Sequence, residues 1–97
     1  MTKISTFLGA SAVLALTAGA ALADPAIIYD LGGKFDKSFN ESAFNGAQMW
    51  ADETGNSFGE FEITSDAQRE QAIRRFAEEG YNPIVMAGFS WAVPLET

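Results

Sequence analysis

The sequence predicts an α/β fold: a β-α-β-α-β parallel three-layer half-domain. Three observations predict it. Short apolar runs alternate with stretches whose apolar residues recur at helical spacing. Gly or Pro punctuates each change of pattern. The 97 residues, 47% of them hydrophobic, suffice for one small domain. Parallel strands joined through helices need right-handed crossovers, which put helices on both faces of the sheet.

Residues 1–23 read as a cleaved secretory signal peptide. Lys3 gives a positive start, residues 7–18 are small or apolar, and Ala21-Leu22-Ala23 is a small-x-small cleavage site before Asp24 and Pro25. The competing reading is a membrane anchor, since residues 4–23 are uncharged and 20 long. Their Ala, Ser, Thr and Gly content and the cleavage motif argue against it. The exported product, residues 24–97, has 74 residues, with 5 basic against 13 acidic side chains. A chain of that size is marginal as a free-standing fold. It is expected to be a partial lobe of a longer protein.

The exported part opens on a strand, Ala26-Ile27-Ile28-Tyr29, closed by Asp30 and a loop with Gly32-Gly33. Ser38 or Asn40 is placed to cap a helix over roughly 41–53, with Ala43, Ala47, Trp50 and Ala51 as its apolar stripe and Gly55 as its stop. Residues 58–64 alternate, with Phe61 and Ile63 on one side and Glu60 and Glu62 on the other, as in a half-exposed edge strand. A second helix opens at Thr64-Ser65-Asp66, where Ser65 and Gln68 form a capping-box pattern. Ala72, Ile73, Phe76 and Ala77 make its buried stripe, Arg69, Glu70, Arg74 and Glu78 lie outside, and Gly80 ends it. Residues 84–87 form a third apolar strand, which leaves through Gly88-Phe89-Ser90. Pro94 suits the first turn of a further helix.

Composition excludes several classes. Without Cys there is no disulfide, thiolate metal site, cysteine nucleophile or lipid-bearing cysteine, so no direct lipid anchor is expected. Without His the Ser-His-Asp mechanism is gone. A pI near 4.3 argues against nucleic acid as a partner. Gly32-Gly33 lacks the dinucleotide spacing, no P-loop occurs, and residues 30–41 carry Phe35 where a calcium loop needs Gly. No cofactor, metal site or catalytic residue is expected. Asn40-Glu41-Ser42 matches a glycosylation sequon, but a cap-adjacent Asn reads better as a structural or binding group. Glu60, Glu62, Glu78 and Glu79 read as a solvated face. Tyr29, Trp50 and Phe76 read as core, and Trp91 as core or cleft lining.

In such sheets, ligands bind beyond the carboxyl ends of the strands. Here those ends are Asp30 to Gly33 and Gly88-Phe89. A flat ring has Phe39 to stack on, the Asn40 amide offers a polar edge, and Asp30 accepts hydrogen bonds. The plain alternative is a capped turn, with Phe39 as a hydrophobic staple and Asp30 as a solvated strand end. The residues alone favour neither reading.

The run Ile28-Tyr29-Asp30-Leu31-Gly32-Gly33-x-x-Asp36-x-Ser38-Phe39-Asn40, with Gly46 after it, resembles the start of the basic membrane protein family of ABC-transporter substrate-binding proteins. Glu79-Gly80-Tyr81-Asn82-Pro83-Ile84-Val85-Met86-Ala87-Gly88-Phe89 is similar to that family's second landmark. The resemblance implies a two-lobed type I periplasmic binding protein fold, of which this chain supplies the N-terminal part. It implies a purine-nucleoside-type ligand, contacted by Asp30, Phe39 and Asn40, with Gly32, Gly33, Ser38, Gly88 and Phe89 nearby. It further implies ABC permease subunits as partners, a periplasmic location and no enzymatic activity. Many members are lipoproteins, and this sequence departs from them in having no lipobox cysteine. An enzyme on a similar scaffold, with catalytic residues beyond Thr97, and the sensing domain of a receptor are the alternatives.

Overall fold

The computed structural model describes residues 23–97, so the expected signal peptide, all but Ala23, lies outside the described residues. The elements are β1 (Ala26–Tyr29), α1 (Phe39–Thr54), β2 (Gly59–Glu62), α2 (Gln68–Glu78), β3 (Ile84–Met86) and α3 (Ala92–Glu96). The three strands form one parallel sheet in the order β2-β1-β3. This is the expected half-domain α/β fold.

β1 is central because all four of its residues are apolar enough to be covered on both faces, and each is buried. On one face Ala26 and Ile28 join Ile63, Ala72, Phe76 and Trp91 in the core, with Phe61, Ile73, Tyr81, Ile84 and Met86 packed against it. That face carries α2 and α3. Phe76 and Tyr81 meet edge-to-face, with ring centroids 5.0 Å apart. The other face carries α1. There Ile27 and Tyr29 lie beside Glu60 and Glu62, their register partners on β2.

Both helix stops are as expected. Gly55 and Gly80 take left-handed φ values of 74° and 87°, and Tyr81 N–H closes the second helix on Phe76 O at 3.0 Å. The starts differ. α1 begins at Phe39, two residues ahead of the expected start, and neither Ser38 nor Asn40 caps it through its side chain. Asp36 does so instead. Its carboxylate accepts the N–H groups of Ser38 (2.8 Å), Glu41 (3.1 Å) and Asn40 (3.3 Å). An Asp two residues ahead of the cap position reaches further into the turn than the Ser38 hydroxyl. α2 starts at Gln68 rather than near Asp66, and the capping pattern is shifted: Gln68 Oε1 accepts Thr64 N–H at 2.6 Å.

The α1 stripe is thinner than expected. Ala43, Ala47, Trp50 and Ala51 are only half-buried, because small side chains leave room above the sheet. The result is an open groove of ≈ 560 Å³ lined by Ile27, Ala43, Ala47, Trp50, Phe58 and Val85. Trp50 therefore walls a groove, whereas Tyr29 and Phe76 are core. β3 is likewise only partly covered, with Val85 47% exposed.

Candidate functional site

β1 and β3 are neighbours, and their connections leave toward opposite faces of the sheet, β1 into α1 and β3 into α3. A crevice forms beyond the carboxyl ends of two such strands. Asp30 closes β1 there, and Gly88-Phe89 follows β3. Phe39 enters from the first residue of α1. The sheet order thus brings together residues that lie 58 positions apart in the chain.

Two aromatic rings stand open at this edge. Phe39 is 58% exposed and Phe89 is 86% exposed. They pack edge-to-face, with centroids 5.2 Å apart and planes at 85°. That separation leaves no slot for a third ring between them. Phe89 instead braces Phe39, which keeps exposed ring surface for stacking. The hydrophobic-staple reading required Phe39 to be covered, so its exposure disfavours that reading.

Asp30 is a held carboxylate rather than a solvated strand end. Its Oδ1 accepts Arg69 Nη2 at 2.6 Å and Leu31 N–H at 2.8 Å. Gly88 presses on its other oxygen: a Cβ at Gly88 would sit 2.1 Å from Asp30 Oδ2. Only glycine permits that approach, at a φ of 109°.

Asn40 is corrected. Its side chain is 1% exposed, and its amide is consumed by the main chain. Oδ1 accepts Asp30 N–H at 2.9 Å, while Nδ2 donates to Asp30 O at 2.8 Å and to Gly33 O at 2.9 Å. Both amide protons are spent, so none is left to read a ligand edge. Asn40 is the pin of the glycine loop. Its burial also removes it as a glycosylation acceptor. Gly32 is exposed, Gly33 half-buried, and Ser38 exposed at the mouth of α1.

Two expectations about charge also change. Glu60 and Glu62 are not merely solvated: Glu62 Oε1 accepts Lys34 N–H at 2.8 Å, and Glu60 pairs with Lys34 Nζ. Lys34 Nζ also lies 4.0 Å from the centre of the Phe44 ring, so the loop is tied to both β2 and α1. Arg69, expected outside the α2 stripe, is 4% exposed. Besides Asp30 it holds Asp66, with Nε 2.8 Å from Oδ1, and its guanidinium lies 4.7 Å from the Trp91 ring. Trp91 is accordingly core, with Nε1 donating to Ala87 O at 2.6 Å. The signal for Arg69 was its spacing: with Ala72, Ile73 and Phe76 it completes the i, i+3, i+4, i+7 stripe.

The site is thus a clamped carboxylate beside a braced, exposed aromatic ring, at the switch point of a parallel sheet. That arrangement sets an exposed aromatic surface and a held carboxylate at one edge of the sheet. The chain is similar to uncharacterized lipoproteins of three Pyrococcus species. It is 35% identical over 75 residues to one from Pyrococcus furiosus, covering 73% of this chain and 18% of the relative. It is 32% identical over 71 residues to one from Pyrococcus abyssi and to one from Pyrococcus horikoshii, each covering 72% of this chain and 18% of the relative. The chain therefore spans about 18% of the length of the curated relatives it matches. No family model and no solved structure matches it.

Proposed function

We propose that this chain is the ligand-facing start of an exported substrate-binding protein. It would bind a purine-nucleoside-type solute and hand it to the permease of an ABC importer. The observation that carries the reading is Phe39, left exposed beside the clamped Asp30 at the carboxyl edge of the sheet. A stacked ring on Phe39 and a donor on Asp30 Oδ2 would use the ring surface left exposed and the carboxylate oxygen that accepts no hydrogen bond among the described residues. The second aromatic wall and the sugar contacts would come from the remainder of the longer protein. The role is binding, not catalysis.

Export is supported by the signal-peptide pattern of residues 1–23 and by the lipoprotein relatives. A periplasmic location is part of the proposal. None of the 97 residues is Cys, so these residues carry no thioether-linked lipid. Calorimetric titration of the full-length protein with adenosine, guanosine and inosine tests the function. Saturable binding is expected. Heat signals indistinguishable from dilution for all three would remove the nucleoside reading.

A further inference from the structure

Arg69 is the buried charge that the ligand reading leaves unused. Its side chain is 5% exposed, and it reaches across 39 sequence positions to Asp30. The guanidinium is itself fixed: Asp66 takes Nε, and the Trp91 ring lies against its face. Among the described residues, no hydrogen-bond partner reaches the buried Nη1. Buried polar groups are rarely left so.

We propose that Arg69 is the positioning residue of the site: it holds Asp30 by Oδ1 so that Oδ2 is the oxygen offered to a ligand N–H or O–H. This rests on the ligand-binding reading above and deepens it. Three restraints converge on one carboxylate. Arg69 Nη2 and the Leu31 N–H both occupy Oδ1. Gly88 packs close on the other side, where an added Cβ would sit 2.1 Å from Oδ2. Among the described residues, Oδ2 receives no hydrogen bond, so it is the acceptor in reserve. Burial opposes the charge on Arg69, but its hydrogen bonds to Asp30 and Asp66 outweigh that and hold its pKa above the ordinary arginine range. The Arg69 side of the clamp therefore stays charged. A carboxylate fixed in this way is pre-organised, so a ligand donor meets it without first ordering it.

The test is a double-mutant cycle in the full-length protein, with Asp30→Asn, Arg69→Met and both together. Each is titrated with adenosine, guanosine and inosine, and each is melted. Arg69→Met is expected to weaken nucleoside binding about tenfold or more with Asp30 present, and less than about twofold once Asp30 is Asn. Arg69→Lys should restore only part of the affinity, because a point charge cannot hold Asp30 and Asp66 in one fork. If Arg69→Met does not fold, Arg69→Lys carries the same comparison. A lowered melting temperature with unchanged affinity would overturn the positioning role. So would an equal loss in both backgrounds, since Arg69 would then not act through Asp30. If Asp30→Asn itself leaves affinity unchanged, the site reading fails, and the role of Arg69 fails with it.

Discussion

At the scale of single residues, Asn40 and Asp36 divide the work of building the loop. Asn40 satisfies three main-chain groups that the loop would otherwise bury unpaired. Asn40→Ala should therefore cost roughly 2–4 kcal/mol in urea unfolding, at about 1 kcal/mol for each lost bond plus the stranded groups. Asn40→Asp should be worse, because it sets an anion against the Asp30 and Gly33 carbonyls. Stability equal to wild type in both variants would contradict the pin. Asp36 makes a pH prediction. Slight desolvation would raise its pKa, but the N–H groups of Glu41, Ser38 and Asn40 outweigh it and hold the carboxyl below its ordinary value of 3.8. A lowered folded value means that its stabilisation is complete above the unfolded value. It is then lost as pH falls through the folded one. The difference in melting temperature between wild type and Asp36→Ala should be constant above about pH 5 and shrink below about pH 4. A difference that persists unchanged to about pH 2 would be inconsistent with this account. The sequence pointed to this loop but not to the division of labour. An Asn at a helix start looks the same whether its amide faces a ligand or the chain. Which one holds depends on where Asp30 and Gly33 turn their carbonyls, and that is set by the glycine conformations at 32 and 33.

Among the elements, those governed by local rules were legible. Gly55 and Gly80 stop the helices because left-handed caps are cheapest for glycine. The alternation of residues 58–64 marks an edge strand, since β2 has one neighbour and one open side. The contacts that make the site are long-range and were not legible. Asp30–Arg69 spans 39 positions, and Phe39–Phe89 exists only because β3 crosses over to lie beside β1. At Arg69 two local signals conflict: charge argues for the outside of α2, spacing argues for the inside, and the facing Asp30 decides in favour of spacing. The β3–α3 turn carries its own prediction. Gly88→Ala would drive a methyl into Asp30 Oδ2 at a φ that disfavours any side chain. It should destabilise by about 1–3 kcal/mol, and it should weaken ligand binding by displacing the same carboxylate. Normal binding in a folded Gly88→Ala protein would show that Asp30 need not stay where it is.

On the scale of the whole molecule, the chain has one well-filled face and one open one. The α2 and α3 side holds the large apolar residues, whereas α1 covers its side with alanines and leaves a groove. The carboxyl edge of the sheet is open as well, and there the two exposed rings and the clamped carboxylate sit together. In the proposed reading, this edge receives the ligand and a further part of a longer protein closes over it. The central claim is that Phe39 stands ready for a ligand ring and does not serve packing. Calorimetric titration of full-length wild type and Phe39→Ala with adenosine, guanosine and inosine, alongside thermal melts, tests it most directly. A stacked base is worth roughly 1–3 kcal/mol, so Phe39→Ala should weaken nucleoside binding about tenfold to a hundredfold. Its melting temperature should stay close to that of wild type, because little buried surface is lost. A Phe39→Ala protein that binds every nucleoside as wild type does, but melts earlier, would contradict the claim.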